Sequence, residues 1–98
     1  MSDKKLRKIV LVNERHQVLR LPRDAKILTV QIMPSDPPPG NDICLWAMGE
    51  RGEIVERHIG IAEAGDTIPS APSVYIGTFQ NAAQTRAFHV FELTAQRR

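Results

Sequence analysis

The residues with which this chain could do chemistry are one cysteine, three histidines and a scatter of acids and arginines. A nucleophilic cysteine needs a polar, partly exposed setting with a base beside it. Cys44 lies between Ile43 and Leu45 and reads as an inert core thiol. Metal binding needs several imidazole or carboxylate ligands converging on one point. His16, His58 and His89 fall on three separate segments with no His-x-His or His-x-x-x-His spacing. Neither a Gly-x-Ser-x-Gly elbow nor a phosphate-cradling glycine loop occurs. The acids cluster in hairpin and strand positions that read as solvated, which argues against a paired-carboxylate hydrolase. The expectation is therefore a non-enzymatic protein with no catalytic residue, no metal and no cofactor.

Binding is the chemistry that remains. Loops on small β scaffolds carry recognition more often than strands do, and two long ones stand out. Pro34–Asn41 contains four prolines and supplies Asp36 and Asn41; Ala64–Ser73 supplies Asp66 and Thr67. Arg51 sits in the turn Gly49-Glu50-Arg51-Gly52. For a small ligand such as a nucleotide, Tyr75 or Trp46 offers a stacking ring, and Arg57 or Arg86 a cation for phosphate. Oligonucleotide-binding barrels interleave cations with exposed aromatics. Here the aromatics Trp46, Tyr75, Phe79, Phe88 and Phe91 sit inside apolar runs, which counts against nucleic acid.

The elements that must position these residues are short strands. Lys26–Met33 alternates, with Leu28, Val30 and Ile32 on one side and Thr29 and Gln31 between them, the period of two of a half-buried strand. Leu6–Val12 and Gln17–Leu21 read as a hairpin across Asn13–His16, and Asp42–Met48 and Glu53–Ile61 as another across the Gly49–Gly52 turn, where glycine supplies positive φ. Val74–Gln80 and Thr85–Leu93 form the last pair. Asp42–Met48 is apolar on both faces and should be the most buried strand. The core is expected from Trp46, Leu28, Val30, Ile32, Leu45, Val74, Ile76, Phe88, Val90 and Phe91. No stretch carries a capped helical stripe. The fold class is thus all-β, a single small antiparallel barrel or sandwich of about seven strands spanning residues 1–98, with 94–98 as a frayed tail.

Charge is divided along the chain. Residues 1–26 carry a net +5, residues 27–66 a net −5 and residues 67–98 a net +2, within an overall +2. A basic first block and an acidic middle block can attract one another within one fold or between two copies, so a homodimer is expected. A single cysteine excludes an internal disulfide and fits a reducing cytoplasm. No apolar run approaches the ~18 residues of a membrane helix.

The order and spacing of Arg20–Leu28, Cys44–Ala47, Tyr75–Phe79 and Phe88–Glu92 resemble a family of small tailed-bacteriophage proteins of unknown function, over about residues 7–93. Ala64-Gly65-Asp66-Thr67-Ile68-Pro69 departs from the Gly-x-Gly-x-Pro-like turn of that family. The resemblance implies a phage origin and action in bacterial cytoplasm. The expected role is a protein-interaction module that binds or inhibits a host protein or assembles with itself. The alternatives are a small-ligand or nucleotide-sequestering protein and, after that, an oligonucleotide-binding type of barrel.

Overall fold

The computed structural model describes residues 5–49, 52–67, 73–81 and 83–93. Within them the chain forms seven strands and no helix: β1 (Lys5–Leu11), β2 (His16–Pro22), β3 (Lys26–Pro34), β4 (Asn41–Gly49), β5 (Ile54–Glu63), β6 (Ser73–Gln80) and β7 (Ala87–Leu93). All pairings are antiparallel. They build a three-stranded sheet, β1-β4-β3, and a four-stranded sheet, β2-β5-β7-β6. The sheets do not close into a barrel, so the architecture is a sandwich.

Both sheets feed one core. Leu45 of the three-stranded sheet and Ile59 and Val90 of the other are fully buried, and Leu11, Val30, Ile43, Ile61, Phe79 and Phe88 surround them. As its apolar faces predict, β4 is the central strand of its sheet and is covered on both sides, with Cys44 1% exposed. Packing the inner faces of two antiparallel sheets together in this way excludes water from the core.

Two hairpins read from the sequence are not hairpins. β1 pairs with β4 and β2 with β5, so residues 12–15 carry the chain from one sheet to the other. The β4–β5 connection crosses in the same way. A local turn signal cannot decide between returning to the same sheet and crossing to its partner; the apolar faces available for pairing decide it. Gly49 accordingly has no positive φ. Its lack of a side chain serves a close approach instead: a Cβ there would lie 2.9 Å from Ala25 Cβ and 3.1 Å from Ala25 Cα. Gly49→Ala should therefore destabilise the protein by about 1–3 kcal/mol, the usual cost of overpacking. Gly60→Ala, whose new methyl would meet its nearest neighbours at 3.6 Å, should leave the denaturant midpoint nearly unchanged.

Two register shifts move the core away from simple alternation. Between Ile27 and Thr29 the β3–β4 register slips, which leaves Leu28 as the extra residue of a bulge. Ile27 then packs against the core while Leu28 is 39% exposed, a correction to its expected place inside. Between Tyr75 and Gly77 the β6–β7 register slips at Ile76. Val74, expected in the core, is 56% exposed at the β6 edge, and Trp46 and Phe91 are half-buried rather than enclosed. A bulge changes by one which side chains face inward. Near the second shift the sheets meet: a Cβ on Gly77 would lie 3.2 Å from Val30 Cγ1 and 3.7 Å from Val30 N, so the edge strands β3 and β6 close one side of the sandwich.

The proline-rich segment is the β3–β4 connection. Ser35 N donates to Gly40 O at 2.9 Å, Ser35 Oγ bonds Asp42 Oδ1 at 2.9 Å, and Gly40 takes φ +113°.

Candidate binding surface

On its outer side the four-stranded sheet carries a hollow of about 370 Å³. The register explains its floor. His16 pairs with Gly60, Gly60 with Phe91, and Ala62 with His89, so small residues on β5 lie between longer side chains on β2 and β7. Gly60, Ala62, Phe91 and Leu93 line the base, and Arg15, His16, Asp66 and Thr67 form the rim. A glycine inside a strand weakens it and leaves room for close approach; Gly60 does this here. Asp66 is placed by the turn after β5. Its N donates to Glu63 O at 2.9 Å, its Oδ2 accepts from Glu63 N at 2.8 Å, and Gly65 supplies the positive φ. Arg15 Nη2 reaches Asp66 Oδ1 at 3.4 Å.

Histidines meet beside the hollow. His16 Nε2 and His58 Nδ1 are 2.9 Å apart, with ring planes 7° from parallel. His89 lies on the same side of the sheet, where its Nδ1 is 2.9 Å from Thr78 Oγ1, and Thr78 is bonded in turn to the Tyr75 hydroxyl. The Tyr75 ring stands edge-on to Phe91 at 5.4 Å.

The candidate residues are thus divided among several places. Asp66 and Thr67 share the hollow, and Tyr75 borders it through Phe91. Asp36 and Asn41 are exposed at the β3–β4 connection. Arg51 lies outside the described residues, as do 68–72 of the second long loop and the tail 94–98.

Arg57 occupies neither loop nor surface. It points between the sheets, where Nε and Nη2 bond the two Glu92 carboxylate oxygens at 2.5 and 3.0 Å. Its Nη1 donates to Pro22 O and Ala25 O at 3.2 and 2.8 Å. The hydrogen bond to Glu92 raises its pKa above the ordinary guanidinium value against the opposing effect of burial, so it is a fixed cation committed to structure. Arg86 is also engaged: Nε and Nη2 each bond a Glu63 carboxylate oxygen at 2.6 Å, and the guanidinium lies over the Phe88 ring. Arg57 is thus committed to the interior, while Arg86, 59% exposed, is held to Glu63. Trp46 is on the other sheet, with Nε1 donating to Gln31 at 3.0 Å.

The Arg86 hydrogen bond holds the Glu63 carboxyl below its usual value of 4.5. A carboxyl with a lowered folded-state pKa contributes stability above its unfolded value, and that contribution disappears as pH falls through the lowered one. Wild type should therefore exceed Glu63→Gln in melting temperature at pH 6. The gap should close on acidification below pH 4.5, as differential scanning calorimetry would read.

Ion pairs are unevenly placed. The four among the described residues are Arg15–Asp66, Arg23–Glu53, Arg57–Glu92 and Arg86–Glu63. Each anchors the four-stranded sheet or the segments that flank its strands. Lys5, Arg7, Lys8 and Lys26, all on the three-stranded sheet, belong to none of them. Sequence reasoning missed Arg15, His16, Phe91 and Leu93 as lining residues, because the β2–β5–β7 register that gathers them is non-local. Gly60 in the middle of an apolar strand was the one local sign.

Fold and surface together define an antiparallel β-sandwich with an apolar hollow on one sheet and a basic edge, unneutralised among the described residues, on the other. The chain belongs to the family described as Domain of unknown function (DUF7352), whose model matches residues 2–98. No curated protein and no solved structure matches it.

Proposed function

We propose that the chain is a non-enzymatic protein-interaction module, phage-encoded, that docks on a host protein or on further copies of itself in the bacterial cytoplasm. The observation that supports this most is the apolar surface left on the strands. Leu6 and Val10 on β1, Val18 on β2, Ile54 on β5 and Tyr75 on β6 are between 43% and 62% exposed. Leu6 and Val10 fall on one face of β1 by the alternation of a strand, and neighbouring exposed apolar side chains mark contact surfaces more often than single scattered ones do. The resemblance in segment order to small phage proteins supports the origin, and a lone, buried cysteine suits a reducing compartment. A photo-crosslinking residue placed in cells at Leu6, Val10 or Tyr75 should give discrete protein adducts, while the same residue at the exposed turn position Glu14 should not. Adducts at none of the apolar positions would sink the reading.

A second reading, small-ligand binding, is favoured by the hollow, whose volume falls within the ~300–1,000 Å³ of ligand sites. Its cation is Arg15, whose side chain is 77% exposed. Native mass spectrometry of protein purified from cells tests it: a bound small molecule that is lost in Gly60→Leu supports this reading, and a bare mass overturns it.

A further inference from the structure

We infer that the free edge of β1 takes an acidic, extended segment of a partner protein as a fourth strand of the three-stranded sheet. The inference rests on the interaction-module reading and names the partner's chemistry.

Among the described residues the sandwich has four edge strands, β1 and β3 in one sheet and β2 and β6 in the other. β3 and β6 close on each other where Gly77 meets Val30. On β2, Arg20 has an acid, Glu56, opposite it in register, whereas Lys5, Arg7 and Lys8 of β1 stand opposite Gly49, Ala47 and Trp46. β1 is different. β4 is its strand partner on one side, and its other side presents backbone donors and acceptors together with Lys5, Arg7 and Lys8. The edge has a defined end: Gln17 caps Val12 with both halves of its amide, Oε1 accepting from Val12 N at 3.0 Å and Nε2 donating to Val12 O at 2.7 Å. The backbone open to a partner is therefore Lys5–Leu11.

Lysines on an edge strand commonly prevent indiscriminate pairing. Protection alone does not account for Leu6 at 62% and Val10 at 53% exposure between them. Strand addition accounts for both, since main-chain hydrogen bonds give affinity and alternate side chains give selectivity. An occupant with acids opposite Lys5, Arg7 and Lys8 and apolar residues opposite Leu6 and Val10 would neutralise the charges and cover the exposed carbons. Read antiparallel, that pattern is Val-Thr-Glu-Glu-Val-Glu. A second copy of this chain is a poorer occupant, because a β1–β1 pairing brings cation towards cation, and Glu53 is already held by Arg23.

The test titrates the capped peptide Val-Thr-Glu-Glu-Val-Glu into the full chain and follows backbone amide hydrogen exchange. The expected result is slowed exchange at alternate amides of Lys5–Leu11. Binding should weaken about tenfold or more with the Gln-for-Glu peptide or in the Arg7→Glu/Lys8→Glu variant, and should fall as salt rises beyond ~0.15 M. These side chains are exposed, and an unchanged melting temperature confirms that the variant is folded. A Val10→Asp variant, which keeps the cations, should also lose binding. Protection elsewhere or nowhere overturns the assignment of this edge, while crosslinked adducts at Tyr75 would still uphold the module reading. Two other results also overturn it: protection of β1 that grows with protein concentration without peptide, which makes a second copy the occupant, and equal affinity for a six-nucleotide single strand, which makes the recognition one of bare charge.

Discussion

Leu45→Ala should destabilise the protein by about 2–5 kcal/mol, and by more than Trp46→Ala does, although tryptophan is the larger side chain. Leu45 is 0% exposed in the centre of β4 and touches the layer contributed by both sheets, so its removal leaves a cavity that neither sheet can close without shifting. Trp46 alternates with it and faces the outer side of the three-stranded sheet. There it is half-buried and holds Gln31 through its indole N–H; its loss exposes neighbours to water rather than opening a void. About 1–3 kcal/mol is expected for Trp46→Ala. Against a domain stability of ~5–15 kcal/mol, the leucine change is the one that approaches unfolding. Chemical denaturation of both variants checks the order, and a larger loss for Trp46→Ala would overturn it.

The second large effect is expected at Arg57 and Glu92. Their side chains are 14% and 16% exposed, and the arginine also serves Pro22 O and Ala25 O. Removing either partner leaves a shielded charge without its counter-charge, which costs about 3–5 kcal/mol. Arg57→Met additionally frees two carbonyls of the turn that joins the sheets. Arg57→Met/Glu92→Leu should recover most of the loss, because replacing both ions by apolar side chains removes the desolvation cost along with the attraction. A double-mutant cycle in urea gives the coupling; additive losses would show that the residues act independently.

That pair also shows how far the sequence could be read. Val55, Ile59 and Ile61 share a face of β5 with Arg57, and Phe88 and Val90 share a face of β7 with Glu92. Within Val55–Ile61 and Phe88–Glu92 each of these faces carries a single charge, opposite in sign, which is the signature of an internal ion pair. The alternation of residues carries that signature, yet it becomes recognisable only once β5 and β7 are known to be neighbours. Strand positions followed from alternation because burial on one face imposes a period of two. Partners did not follow, because residues 12–15 and the β4–β5 connection cross between sheets where local turn chemistry favours a hairpin. Leu28 and Ile76 show a second limit: a bulge shifts the inward face by one residue, and nothing in Ile27-Leu28-Thr29 announces it. The segments 20–28, 44–47, 75–79 and 88–92 fall on structural features: Pro22 and Ala25 on the arginine-bound turn, Leu45 in the core, Gly77 where the sheets meet, Glu92 in the ion pair. They speak for the fold, whereas the hollow and the basic edge lie largely outside them.

The crossing connections have a kinetic consequence. Only β3–β4 and β6–β7 join strands adjacent in the chain; β1 must wait for β4, and β2 for β5. Because closing long loops must precede the contacts that reward it, sandwiches of this kind fold in milliseconds to seconds. Residues 4–22 carry Lys4, Lys5, Arg7, Lys8, Arg15 and Arg20, and β1 and β2 have no partner strand until β4 and β5 have been synthesised. The basic edge is therefore present in nascent chains well before the sandwich that later frames it, and like charge should hold such chains apart during the interval.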